Sequence, residues 1–315
     1  MDDLTEKELF REAIHRFSQP RYWPGLVYIL AMALMIAIPL ALYPTHPLAA
    51  ILLAVPLFGL FQYYALIATH EAIHYGLCPN RALNDALGTV LAYAISFNYS
   101  EIKGAHLAHH RRLGHLNDPD YPFYIKRSDD ERISLRSIVF RPLIAVFRLV
   151  VPDRRPAGDD TPRPSHEFRA RKNLVSILLF QILILAALSW FCSPWLALGW
   201  VLALGSIPGM LMHIRLILEH SGLILEGYIP ADKKRGARTH AHPPSWMGTA
   251  VFDCVRVILS PFSFNFHHEH HAMPSIPFYN LWRVNRWLCE AGYFEDKPEN
   301  HTTSYLVTVR RHIRW

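Results

Sequence analysis

Apolar residues gather along this chain in four long blocks, arranged as two closely spaced pairs. Residues 25–43 carry no charge; after a short turn at 44–47, residues 49–69 are uncharged as well and run straight into His70. Further on, residues 174–190 hold Gln181 as their one strongly polar side chain, 192–194 turn the chain, and 195–212 carry no charge. About 20 apolar residues at 1.5 Å rise each cross the hydrocarbon of a bilayer. The pattern therefore predicts an all-α integral membrane protein with transmembrane helices at about 25–43, 48–69, 174–191 and 195–213, in two hairpins. A core helix of a soluble protein can be as apolar, but four in two tight pairs point to a bilayer.

The remaining segments are shorter and more polar. Thr5-Glu6-Lys7-Glu8 reads as a capping box, opening a helix within residues 1–20 that carries Leu9, Phe10, Ile14 and Phe17 and is expected to lie on the membrane surface. This stretch lacks the basic–apolar–cleavage order of a signal peptide. Cys78-Pro79-Asn80-Arg81 breaks the second span. Residues 86–97 and 251–259 are apolar but too short to cross, so each is expected to be interfacial or buried. A helix is predicted over 100–113, followed by the turn-rich loop 114–120. Residues 131–151 mix arginines with apolar residues as a helix in the headgroup layer would, and 153–165 read as an exposed connector. Gly205-Ser206-Ile207-Pro208-Gly209 should bend the fourth span. The chain reads as one membrane domain over 1–315.

Charge adds an orientation. The two short turns have no Lys or Arg, whereas the N-terminal segment, residues 70–172 and residues 214–315 are rich in them. The positive-inside rule then puts both termini and both polar regions in the cytoplasm, with the inner or plasma membrane as the expected location if the source is bacterial. The formal net charge of +6 fits this orientation and contact with anionic lipid, not nucleic-acid binding. The four cysteines are scattered and form neither a disulfide framework nor a zinc-ribbon spacing.

That orientation places every histidine cluster on one side. His70 and His74 stand at i, i+4; His106, His109 and His110 at i, i+3, i+4; His267, His270 and His271 repeat that spacing after Asn265. On a helix, each group shares a face. His220 is a plausible ninth member, with His213 and His240 as weaker ones; His115 reads as an ordinary polar histidine. Imidazole is the commonest protein ligand for Zn, Cu, Fe and Ni, and eight or nine exceed the four that close one zinc, so two metals are the natural count. All-histidine ligation leaves the metal charge unneutralised, which favours redox iron. Glu71, Glu219 and Glu269 each adjoin a cluster histidine, and Asp118 and Asp120 follow the second cluster. These acids either fix imidazole tautomers through the far ring nitrogens or remain solvated and cap helix ends.

The three windows resemble the histidine boxes of the membrane fatty acid desaturase superfamily: His70-Glu71-Ala72-Ile73-His74, His106-Leu107-Ala108-His109-His110 and His267-His268-Glu269-His270-His271, with Asn117-Asp118-Pro119-Asp120 and Met273-Pro274-Ser275-Ile276-Pro277 as flanks. The resemblance covers about residues 65–288. It implies four membrane helices under a cytosolic cap, and a diiron centre that uses O2 to attack an unactivated C–H bond of an acyl chain. By the same resemblance the ligands are His70, His74, His106, His109, His110, His267, His270 and His271, with His220 between the second and third boxes. Glu71, Asp118, Asp120, Glu219, Asn265 and Glu269 are possible supporting residues. His268 occupies a variable position and is left out.

No haem-binding donor domain is legible, so electrons are expected from a separate ferredoxin, or from a haem protein with its reductase; residues 126–172 offer a basic docking surface. The expected activity is fatty acyl desaturation of a membrane lipid or other acyl substrate. A lipid or carotenoid hydroxylase or ketolase shares the boxes. A histidine-rich metal transporter is the reading from another class, but its ligands would lie inside the spans.

Overall fold

The computed structural model describes residues 5–115, 117–120, 133–134, 171–220, 236–241, 249–298, 300–302, 305 and 313–314. Its first helix, α1 (Glu6–Phe17), opens on the expected capping box: Thr5 Oγ1 accepts from Glu8 N, and the Glu8 carboxylate accepts from Thr5 N at 3.0 Å. The apolar face of α1 does not look outward. Leu9, Phe10 and Ala13 are buried against Leu281, Val284 and Leu288 of a late helix, and only Ile14 among the expected surface-facing residues is clearly exposed. Part of the apolar stripe of α1 thus packs on protein.

Four helices among the described residues are long and apolar enough to span a bilayer: α2 (Tyr22–Leu42), α3 (Pro47–Ile73), α6 (Arg171–Phe191, apolar from Leu174), and the pair α7 (Pro194–Leu204) and α8 (Ile207–His220) taken together. α2 and α6 leave Leu26, Leu30, Leu34, Leu179, Ile182 and Leu183 more than half exposed, as lipid-facing helices do. α3 is the central element and packs against α2, α7, α8 and α4 (Arg81–Ala94). Its small residues permit this: a Cβ on Gly59 would stand 2.5 Å from Ile207 Cδ1. Gln181 is satisfied within the protein, donating to Tyr93 O at 2.7 Å and accepting from Trp200 Nε1 at 3.1 Å, as a polar group in lipid must be. The predicted bend is present where α7 ends at Gly205 and α8 restarts with Pro208 in its first turn.

Two asparagines start the helices that support the second cluster. Asn80 accepts from Leu83 N at the start of α4, and Asn98 accepts from Glu101 N at the start of α5 (Tyr99–Arg112). These are the side-chain caps that orphan N–H groups require. Later come α9 (Thr249–Leu259), α10 (His267–Ala272), a short 3₁₀ turn (Phe278–Asn280) and α11 (Leu281–Glu290). Among the described residues four two-residue strands pair in parallel: β1 (Ile133–Ser134) with β4 (Ile313–Arg314), and β2 (Thr239–His240) with β3 (His301–Thr302). Ile133 and Ser134 are thus extended, where a helix over 131–151 was expected; the rest of that segment, the connector 153–165 and nearly all of 126–172 lie outside the described residues.

Between α9 and α10 the chain makes a turn the sequence does not advertise. Phe262 and Ser263 have φ of 57° and 55°, a left-handed pair without glycine, which costs about 1–2 kcal/mol per residue. Tight packing of the fully buried Phe262 ring on Tyr28 (4.0 Å between centroids) and against Phe278 (4.9 Å) holds it there.

Candidate metal centre

Four helix segments deliver histidines to one region. α3 runs past its apolar stretch to His70 and ends at His74; α8 ends at His220; α5 and α10 carry the other two clusters. The structure sorts them into two sets. His70, His74, His106, His110 and His270 form one, with ligand atoms within 4.8 Å of one another. His109, His220 and His271 form the core of the other, which His267 joins through His220. Within the first, Nε2 of His106 lies 2.9 Å from Nε2 of His74 and 2.8 Å from that of His110, and Nε2 of His270 lies 3.2 Å from that of His110. Within the second, His267 Nε2 is 3.0 Å from Nε2 of both His220 and His271.

These contacts test whether a metal fits. His109 Nδ1 faces Asp118 at 2.9 Å, His220 Nδ1 faces Gly236 O at 2.7 Å, and His70 Nδ1 faces Glu71 at 3.2 Å. Such partners hold the ring proton outside and turn the Nε2 lone pair inward. Inward lone pairs crowded at 2.8–3.2 Å repel each other unless a cation lies among them. Metal–nitrogen bonds of about 2.1 Å put neighbouring octahedral ligands about 3.0 Å apart, which matches. His70 Nε2 is buried with no hydrogen-bond partner. Burial holds His74 near a pKa of about 3, with Lys103 adding to the effect. Burial first, then neighbouring imidazoles, push His106, His110, His267, His270 and His271 well below the usual histidine value. His109 differs. Burial pulls it down, but Asp120, Asp118 and Glu219 outweigh that and raise it. Convergent and desolvated, and apart from His109 held neutral, the imidazoles suit a divalent cation.

The residues expected to support them divide. Asp118 and Glu71 sit on Nδ1 atoms, and Asp120 lies 3.7 Å from His109 Nδ1. Glu269 bonds Thr239 Oγ1 and Asn285 Nδ2 (2.6 Å) in place of an imidazole, tying α10 to β2 and α11; with that burial its carboxyl rises to about 7. Asn265 likewise braces β2, donating from Nδ2 to His240 O at 3.1 Å. His268 points away, within reach of Tyr293 Oη (3.1 Å). His240 stacks on Tyr305, and neither it nor His213 joins a set, nor does His115.

Several residues were not singled out by the sequence. Thr239 and Asn285 come from far along the chain to fix Glu269. Phe264 covers one side of the site, its ring 4.5 Å from that of His70. Arg215, 4% exposed, stacks over Phe264 at 4.2 Å and pairs with Glu219 at 3.2 Å. Its signal was an Arg–Glu pair at i, i+4 ending an apolar helix.

Comparison with known proteins agrees with this geometry. The sphingolipid delta(4)-desaturase DES1 of Drosophila melanogaster is 25% identical over 253 residues, covering 78% of this chain and 67% of that protein. The profile of the fatty acid desaturase family matches residues 45–303. With that match the transporter reading falls away, and the four apolar helices are those of a membrane protein. The chain belongs to the fatty acid desaturase family and is an oxidoreductase.

Proposed function

We propose that the protein is an O2-dependent desaturase of lipid acyl chains whose histidines hold two iron ions. The observation that carries this is the convergence of all three boxes and His220 into two adjoining sets of inward Nε2 atoms. His70, His74, His106, His110 and His270 would hold one ion, and His109, His220, His267 and His271 the other. Bound iron would supply the redox chemistry with O2 that an unactivated C–H bond requires, which no side chain alone supplies. The protein's part is to present neutral imidazoles, keep their protons on Nδ1 through Asp118, Glu71 and Gly236 O, and bury the site. Since α3 and α8 run directly from apolar stretches into ligands, an acyl chain could approach from the bilayer without crossing water.

The sphingolipid desaturase relative supports an acyl chain within a complex lipid as substrate. In this reading both termini and the histidines face the cytoplasm, where a ferredoxin, or a haem protein with its reductase, delivers electrons. The test is untargeted mass spectrometry of lipids from cells expressing the wild type or His270→Ala with a ferredoxin system. A wild-type product lighter by two hydrogens is expected. A product heavier by one oxygen would instead identify a hydroxylase, and an active, iron-replete His270→Ala would refute the ligand assignment.

A further inference from the structure

Glu219 is oriented unlike the other acids near the histidines. Asp118 and Glu71 meet Nδ1 atoms, on the outer side of the rings, and Glu269 meets no imidazole. Glu219 Oε2 lies 3.4 Å from His267 Nε2. That nitrogen is the inward one, which also faces His220 and His271 at 3.0 Å. A tautomer-fixing acid would instead reach His267 Nδ1, yet that atom is buried with no hydrogen-bond partner. The donor atoms of Glu219, His220 and His267 lie within 4.8 Å of one another. The first set has five imidazoles, the second four.

We propose that Glu219 is the fifth donor of the second set, a carboxylate ligand and not a support for an imidazole, and that Arg215 holds it in place. This rests on the two-iron reading above. Four neutral imidazoles leave the charge of a divalent cation whole, and a hard carboxylate oxygen would offset part of it. The carboxylate is buried, so it needs a partner to stay oriented. Arg215 Nη1 is 3.2 Å from both Glu219 oxygens and is itself fixed over Phe264. The two irons would then differ, one in an all-histidine site and the other sharing an anionic oxygen.

The rival explanation is a plain buried ion pair, complete without metal, and double substitution separates the two. Full-length wild type, Arg215→Gln, Glu219→Gln and the double variant Arg215→Gln/Glu219→Gln are loaded with ferrous iron in lipid nanodiscs. Iron per folded chain is measured, with chelator competition for each site and Mössbauer spectra. The wild type should hold two irons with unlike spectra, and Arg215→Gln should keep both while binding the second about 10–100-fold more weakly, as loss of a supporting partner does. Glu219→Gln and the double variant should bind the second iron more than about 100-fold more weakly, beyond the 10–100-fold loss typical of supporting partners. A double variant that folds and holds both irons within about tenfold of wild type would reduce Glu219 to a partner of Arg215. A single wild-type spectral species would also overturn the assignment, even where variants fail to fold. A folded wild type without iron would instead sink the two-iron reading, and this assignment with it.

Discussion

Replacing Asp118 by alanine removes the acceptor that holds His109. Its two carboxylate oxygens lie 2.9 and 3.0 Å from His109 Nδ1, and both side chains are almost completely buried. The ring proton would be left without that partner, at a cost of about 1–3 kcal/mol. Loss of such a partner typically weakens metal binding about 10–100-fold, or about 1.4–2.7 kcal/mol, so the two estimates agree. Asp118→Asn keeps an oxygen acceptor but loses the charge; a neutral hydrogen bond is about half as strong, so about 1 kcal/mol, or fivefold, should go. The assay is a chelator-competition titration of iron in nanodisc-embedded protein, with thermal unfolding followed in parallel. Because Asp118 acts through His109, the double variant His109→Ala/Asp118→Ala should lose no more iron affinity than His109→Ala alone. Wild-type iron affinity in Asp118→Ala, or full additivity in the double variant, would refute the reasoning.

Two further tests address packing and pH. Gly59→Val should cost about 1–3 kcal/mol in unfolding measurements, since its Cβ would lie 2.5 Å from Ile207. Gly104→Ala, where an added Cβ meets nothing within 4 Å on an exposed face of α5, should gain about 0.5–1 kcal/mol. Chelator-stripped protein should lose stability as pH falls below about 6.5. Burial holds His74 down to about 3 in the fold, against the ordinary histidine value of about 6.5 in the unfolded chain. Between those values the unfolded chain binds the extra proton, so acid favours unfolding by about 1.4 kcal/mol per pH unit for that imidazole, and stability returns as pH rises through the window. Denaturant titrations that stay flat from about pH 7.5 to about pH 5 would contradict this.

The spans and the three boxes were legible because both are local patterns: apolar length sets a membrane helix, and i, i+3, i+4 spacing sets a shared face. His220 could be picked out because it ends an apolar span beside an acid. What spacing cannot show is which nitrogen an acid meets, because that depends on how helices cross. Glu71 and Glu219 both adjoin a cluster histidine, yet one faces Nδ1 and the other Nε2. Glu269 looked equally suited to an imidazole, but Thr239 and Asn285 claimed it. The packing of α1 on Leu281, Val284 and Leu288 was not legible, because an apolar stripe has no label for its partner. The left-handed turn at Phe262 and Ser263 was invisible, since no glycine marks it.

The clasp between α1 and α11 imposes an order on biosynthesis. Asn280 Nδ2 donates to Phe17 O at 2.8 Å across 263 residues of sequence. At about 5–20 residues per second, the first helix waits roughly 13–50 s on the ribosome's schedule before its partner exists. His270 in one set, and His267 and His271 in the other, are made well after the first two boxes, close to that same clasp. A nascent chain that has not reached residues 267–271 therefore lacks a histidine of each set, and neither set can close before that segment folds against the earlier helices.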